Sequence, residues 1–364
     1  MKVFFAIKKL QDIAGGAESI LCQVASRIAE NGNNVTLYSM DDEQAQSFYP
    51  LSSRVKWKKT GILKQQKPMG LFAFFKIILR MRHEMLREKP DIVIAFMHSM
   101  FVPLSFSLIG TSIPIIASEH IIPKHYKKTP HEFFLLLLSS FFVEKITVMT
   151  SQVKKLYPAL TQSKIVIIPN PVKFYVEVAN KRKPVILNVG RLNEQKDQET
   201  LIRAFAKIAE KYPEWLLRIV GEGNLRPKLE TIIQDYGLEN RIVLPGVNKD
   251  MQSEYENASI FATSSLYESF GLATAEALSA AIPCIGFADC IGTNEIIHHE
   301  FNGLLVDGKD RVSSLSDAMD RLMASSSLRE SYGRNGPQSV EKFGLAQTMA
   351  AWEILIEETS KKLK

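Results

Sequence analysis

Two glutamates eight residues apart, Glu268 and Glu276, stand in the segment TSSLYESFGLATAEALSAAIP at 263–283. The residues before Gly271 read as a strand and a turn, and ATAEALSAA is a good helix sequence. Backbone N–H groups around Phe270, Gly271 and Leu272 would then open a helix, where unpaired donors and the helix dipole favour a phosphate or diphosphate. Glu276, one turn on, is placed to accept from ribose hydroxyls, and Glu268, in the loop before the helix, to face a reacting sugar. The same spacing also fits a capped helix with a surface glutamate. A second segment, LNVGRLNEQKDQETLIRAF at 187–205, ends a strand at Gly190 and carries Arg191 and Lys196 in the following loop. Two cations at a strand's carboxyl end can clamp a diphosphate and offset charge on a leaving phosphate. They can equally be two solvated loop cations.

Weaker signals lie in the first half. AGGAES at 14–19 follows a strand, and Gly15 and Gly16 would let a phosphate or sugar approach the backbone. SEHIIPKHY at 118–126 puts His120 at the end of another strand, able to donate to a sugar hydroxyl, and His98 ends the strand before it. Either histidine also fits a structural role bonded to backbone. GEGNLR at 221–226 matches only the first half of a dinucleotide fingerprint, and no P-loop, H-E-x-x-H or D-x-D pattern occurs. Dinucleotide redox chemistry and a dedicated metal site are therefore not expected. Cys22, Cys284 and Cys290 are few and widely spaced, which excludes a disulfide framework and fits a reducing cytoplasm.

The elements that position these residues alternate between strand and helix. Strands are expected at 3–7, 34–38, 91–96, 113–118, 145–149 and 164–169, then at 184–190, 215–221, 241–246, 258–263, 282–287 and 302–306. Such alternation implies two α/β domains with parallel, doubly wound sheets and ligands at the carboxyl ends of the strands, in a cleft between the halves. A polar stretch around 173–184 containing KRKP reads as the linker. Ile92–Ser118 contains no charged residue, but Pro103, Gly110 and Pro114 divide it into strand, helix and strand instead of a membrane span. The apolar run at the N-terminus is too short for a signal peptide.

Charge is unevenly divided over the 364 residues. The chain carries +6 overall, with +10 in residues 1–180 and −4 in residues 181–364. Part of the first-half excess falls on 70–89, where Lys76, Arg80, His83 and Arg87 share one side of a helix, with Phe72, Phe75, Ile78, Met85 and Leu86 opposite. That pattern suits an anionic membrane surface or a lipid-linked phosphate, and it also suits a core-packed helix with a solvated basic face. Nucleic acid is not an expected partner, because no recognition-helix or RNP-type motif accompanies the charge.

GGAE, GRLNEQKD, GEGNLR, ESFGLATAE, AIPCIG and GTNEII, in this order and spacing, resemble the family 4 retaining glycosyltransferases of GT-B fold over nearly the whole chain. The resemblance implies two Rossmann-like domains: an acceptor domain at 1–175 plus 347–364, with the C-terminal helix crossing back to it, and a donor domain at 176–346. It implies that Glu276 holds the donor ribose and that Glu268 contacts the sugar. It implies that Arg191 and Lys196 bind the diphosphate, that Gly15 and Gly16 lie beside it, and that Glu295 of the GTNE loop lies near the donor. Ser269, Ile291 and Ala281 stand where the family usually has Gly, which loosens any inference about the donor sugar.

The implied reaction moves a sugar from a nucleotide donor, expected to be UDP-linked, to an acceptor hydroxyl with anomeric retention and no metal. The leaving phosphate itself takes the acceptor proton. A lipid-linked or membrane-surface glycan of bacterial polysaccharide or lipopolysaccharide assembly is the expected acceptor, with soluble sucrose- or trehalose-type synthesis second. The expected place is the cytoplasm, at the inner face of the cell membrane. A UDP-sugar epimerase of the same fold, or a catalytically silent sugar-nucleotide binding protein, would share most of these features.

Overall fold

Continuous runs of β-branched and aromatic residues form two separate parallel sheets. The computed structural model describes residues 1–11, 13, 15–61, 71–175 and 182–361, with only the backbone described at 71–73 and 127–128. Most of the KRKP linker stretch, 176–181, and the last three residues of the C-terminal segment therefore lie outside the described residues. The chain divides into two compact units: Met1–Asn170 with Ala346–Lys364, and Pro171–Leu345.

In the first unit seven strands run in the order β3-β2-β1-β4-β5-β6-β7. They are β1 (Lys2–Ile7), β2 (Asn34–Ser39), β3 (Lys56–Lys59), β4 (Ile92–Phe96), β5 (Ile115–Ser118), β6 (Lys145–Val148) and β7 (Ile165–Ile167). All are parallel, and β1 pairs with β2 from Lys2 opposite Asn34 and with β4 from Val3 opposite Ile92. The uncharged stretch from Ile92 to Ser118 is β4, the helix His98–Ser107 and β5. Among the described residues no helix is long and apolar enough to cross a membrane.

Strand β3 is absent from the sequence expectation. Its KWKK has the lysine-rich pattern of an edge strand, and lysines along an edge discourage pairing with other chains. Trp57 anchors it by donating to Ser39 Oγ at 2.9 Å. The helix Leu345–Lys361 belongs to the first unit, apart from its first residue. Its buried Trp352 stacks on Phe96 of β4 at 6.0 Å, within a core that also holds Phe5, Ile20, Val24 and Ile28.

In the second unit six parallel strands run in the order β10-β9-β8-β11-β12-β13. They are β8 (Val185–Val189), β9 (Leu216–Val220), β10 (Ile242–Gly246), β11 (Ile260–Ala262), β12 (Cys284–Phe287) and β13 (Gly303–Val306). The core is built from Ile186, Leu217, Phe205, Ile260, Ile285 and Leu315. In both sheets the strand order reverses once, at β1/β4 and at β8/β11. Successive strands move outward in opposite directions from those points, and in an open parallel sheet the carboxyl ends of the strands at such a reversal are where ligands bind.

Trp352→Ala is expected to cost the first unit about 3–5 kcal/mol, the range for deleting a large buried aromatic side chain. Chemical denaturation should show its unfolding transition at lower denaturant while that of the second unit stays in place.

Candidate active site

The second unit places Lys196 and Glu268 together. Lys196 sits in the loop after β8, one residue before Asp197, the cap of the helix Gln198–Ala206. Glu268 sits in the loop between β11 and the helix Leu272–Ser279, whose N-cap is Gly271. Lys196 Nζ donates to Glu268 Oε1, and Ser265 Oγ donates to the same oxygen at 2.7 Å. The two loops are laced by backbone as well. Leu266 N donates to Gln195 O at 2.9 Å, Ser264 Oγ to Lys196 O at 2.9 Å, and Gln195 Nε2 to Tyr267 O at 3.0 Å. A charged group out of water needs a partner, and here each supplies the other's.

A third loop, after β12, closes against the second. Glu268 N donates to Ile291 O at 2.9 Å. Gly292 has φ +88°, and a Cβ there would lie 2.6 Å from Glu268 O, so only glycine allows this approach. Glu295 ends the short helical turn Thr293–Glu295 that follows and is half-buried. GEGNLR also finds a structural role: Leu192 N donates to Glu222 O at 2.9 Å and Leu225 N to Leu192 O at 3.1 Å. The loop after β9 thus braces the loop that carries Arg191, whose side chain is exposed.

Glu276 lies half-buried on the helix Leu272–Ser279 and accepts from Tyr255 Oη at 2.9 Å. Tyr255 is fully buried and packs on Tyr175 at 4.8 Å, and no motif marks it. Its signal is the aromatic residue in the helix before β11, which reads as core and hides its polar end. Burial pushes the Glu276 carboxyl up to about 7, against the hydrogen bond from Tyr255 and the charge of Lys173, which lower it. The Phe270 side chain is core, edge-on to Phe343 at 5.1 Å, so its backbone, the part the sequence pointed to, is what can face a ligand. The first N–H groups of the helix, from Leu272 onward, have no acceptor within the helix, as at any helix start.

The first unit holds the remaining candidates. Gly15 caps the helix Gly16–Glu30, and a Cβ on it would lie 2.1 Å from Glu18 Oε2. The space beside Gly15 is thus filled by the chain's own carboxylate, which the glycine pair alone did not reveal; Ala14 of the same motif lies outside the described residues. Asp41, buried just beyond β2, accepts from Leu10 N at 2.9 Å and Gln11 N at 3.2 Å and so fixes the loop after β1. It had no motif to mark it.

His120 is half-buried, stacked on Phe96 at 5.1 Å, with Nε2 2.9 Å from Ser118 Oγ. Burial pushes its pKa down to about 3, so the ring is neutral. Next to it, Glu119 is 1 % exposed. It accepts from Ile121 N at 2.9 Å and from Tyr126 Oη at 3.1 Å, and burial pushes its carboxyl up to about 7. Tyr126 Oη also bonds His98 Nδ1 at 2.8 Å, so His98 is tied into this buried chain.

The basic helix is Leu71–Glu88. Ile77, Met81 and Met85 point into the core. Phe75, Leu79 and Leu86 are 59 %, 65 % and 44 % exposed, whereas the core-packed alternative put Phe75 and Leu86 on the packed side. Lys76, Arg80 and His83 lie exposed beside that apolar stripe. Arg87 turns toward Glu84 at 3.0 Å and Glu88 at 3.5 Å. Phe72 lies among the side chains outside the described residues. Among the described residues no group of three or more His, Cys, Asp or Glu could hold a metal ion, and all three cysteines are buried and free.

Two parallel-sheet units, each with one strand-order reversal and the second with Lys196 paired to Glu268 at its reversal, have the elements of the GT-B architecture. Residues 171–339 match the family Glycosyl transferases group 1, and residues 14–174 match Glycosyltransferase Family 4. The chain belongs to the retaining glycosyltransferases of family 4. It is 24% identical over 355 residues to the amylovoran biosynthesis glycosyltransferase AmsD of Erwinia amylovora, covering 94% of this chain and 96% of that one. Its fold is similar to that of sucrose-phosphate synthase from Thermosynechococcus elongatus, with TM-score 0.82 and 19% identity over 98% of this chain and 99% of the other. It is also similar to Anabaena HepE in complex with UDP-glucose, with TM-score 0.78 and 18% identity over 98% and 100%.

The raised pKa of Glu276 has a consequence for stability. The folded state keeps a proton that the unfolded chain gives up near the usual carboxylate value. This contribution is complete below that value and is lost as the pH rises through about 7. Glu276→Gln has no proton to lose, so its thermal midpoint should gain on the wild type's between about pH 5 and about pH 8. A difference that stays flat over that range contradicts the assignment.

Proposed function

We propose that this glycosyltransferase moves a sugar from a UDP-sugar to a hydroxyl of a lipid-linked or membrane-surface glycan, in the assembly of a bacterial polysaccharide or lipopolysaccharide. The observation that carries the donor half is the meeting of Lys196, Glu268 and the start of the helix Leu272–Ser279 at one strand-order reversal. The complex of HepE with UDP-glucose supports UDP as the nucleotide, and the role of AmsD in amylovoran synthesis supports a polysaccharide product.

In this reading Glu276 accepts from the ribose hydroxyls through the oxygen that Tyr255 leaves available. Arg191 and Lys196 meet the diphosphate, together with the backbone N–H groups of Gly271 and Leu272, and Glu295 lies near the donor. Lys196 then exchanges part of its contact with Glu268 for phosphate, and Glu268 turns its carboxylate to the sugar hydroxyls. The bond from C1 to the diphosphate oxygen breaks, and a bond from C1 to the acceptor oxygen forms on the same face. The acceptor proton passes to the leaving phosphate oxygen. Cations and helix-start dipoles fixed before the reaction stabilise the charge that develops there. Gly15 and Gly16 lie beside the phosphate and the acceptor once Glu18 swings out of the space next to Gly15, and neutral His120 donates to a sugar hydroxyl.

The acceptor half rests on the first unit. Phe75, Leu79 and Leu86 form an exposed apolar stripe flanked by Lys76 and Arg80, the arrangement of a helix that lies on an anionic membrane. The enzyme would then work at the inner face of the cell membrane, where a lipid-linked acceptor is presented.

Calorimetry with UDP-glucose, UDP-galactose and UDP-N-acetylglucosamine tests the donor half. Above about pH 8, where Glu276 is ionised, Glu276→Ala should weaken UDP binding about tenfold or more, as expected for losing hydrogen bonds to a charged acceptor. Unchanged affinity would remove Glu276 from the ribose. NMR of each donor alone separates transfer from epimerisation, since an epimerase converts the sugar with no acceptor present.

Vesicle co-sedimentation tests the membrane half. Lys76→Glu with Arg80→Glu should lower binding to anionic vesicles by about 1 kcal/mol or more per residue, and Phe75→Ser with Leu79→Ser should lower it further. Binding that is the same for both pairs and the wild type would place the acceptor off the membrane.

A further inference from the structure

The residue with the widest reach into the candidate site is Arg311, which no motif marks. It is the first residue of the helix Arg311–Ala324, and Asp310 caps that helix by accepting from Ser313 N at 3.0 Å. The side chain is 17 % exposed, and its guanidinium lies over the Phe287 ring, 3.6 Å from its centroid. Nη2 donates to Ser264 O at 2.6 Å and to Ser265 O at 3.1 Å. Nε lies 3.5 Å from Asp197 Oδ2, and Nη1 lies 3.4 Å from Asp289 Oδ1. One side chain thus touches the loops after β8, β11 and β12.

Its partners are the residues that hold the ion pair. Ser265 accepts from Arg311 on its carbonyl and donates from its hydroxyl to Glu268 Oε1. Ser264 accepts on its carbonyl and donates from its hydroxyl to Lys196 O. Asp197 follows Lys196 directly. We infer that Arg311 is a positioning residue that sets the geometry of Lys196 and Glu268 through Ser264, Ser265 and Asp197. Only a planar guanidinium can stack on a ring and offer donors in several fixed directions at once, so an ammonium at the same place would satisfy a fraction of these contacts. The inference rests on the proposed transfer reaction for its kinetic consequence and on geometry alone for its structural one.

The test uses the full-length chain with Arg311→Lys, Arg311→Ala and Phe287→Leu, the lysine variant keeping charge and bulk where alanine fails to fold. With UDP-glucose or whichever donor the wild type turns over, kcat should fall about tenfold to a hundredfold in both Arg311 variants, with a smaller change in the donor KM, as for a displaced reacting group. Added guanidinium ion should restore part of the Arg311→Ala activity and none of the Arg311→Lys activity. A wild-type kcat in Arg311→Lys would overturn the inference. Hydrogen exchange is read in parallel at 190–198 and 263–271, where both Arg311 variants should exchange faster and Phe287→Leu partly so. If the wild type transfers no sugar at all, the proposed function fails while exchange still decides the clamp. Unchanged exchange in both segments would overturn it.

Discussion

The ammonium of Lys196 and the carboxylate of Glu268 come from loops 72 residues apart in sequence and are held on one another away from water. A buried charge is tolerable only when paired and hydrogen-bonded, so this pair fixes the relative position of the loops after β8 and β11. The surroundings conform to it. Ser265 supplies a second donor to the carboxylate, Ser264 ties the backbone of Lys196, and Gly292 lets the next loop close over Glu268. A ligand anion that reaches Lys196 must compete with Glu268, so entry of negative charge and release of the carboxylate are coupled.

The first unit solves the corresponding problem with buried polar groups instead of an ion pair. Asp41 takes the backbone N–H groups of Leu10 and Gln11, fixing the loop after β1. Glu119, Tyr126 and His98 form one hydrogen-bonded chain beside His120. Burial favours the uncharged forms of Glu119, His98 and His120, and a neutral cluster at the strand ends costs less to desolvate than a charged one. The two sheets share the same order around their reversals, but their strand ends differ: an ion pair in one, and in the other a buried cluster of Glu119, Tyr126, His98 and His120.

Which parts of this were legible follows from how each residue type signals. The inner strands were readable because a parallel strand covered on both faces is a continuous apolar run, as in VFFAI and IPCIGF, and the edge strands β7, β10 and β13 keep short apolar runs of their own. KWKK was not, because an edge strand is free to be polar. The helix Leu71–Glu88 was readable as amphipathic, but its orientation was not: periodicity gives the width of an apolar stripe and cannot say which part meets the core. The apolar side included Phe75 and Leu86, which are exposed, while Ile77, Met81 and Met85 do the packing.

At the site, the sequence by itself determined the family, the two sheets and the candidate carriers of charge, because glycines, cations and carboxylates near strand ends keep their spacing along the chain. Tertiary structure decided which of them meet. Lys196 and Glu268 were read as separate ligands of phosphate and sugar, and the fold makes them one ion pair. Tyr255, Asp41 and Arg311 carry no local signal, since an aromatic in a helix, an acid beyond a strand and an arginine at a helix start are ordinary in any sequence. Their partners lie 21, 31 and 47 residues away, and only closure of the sheets brings those distances to hydrogen-bond length.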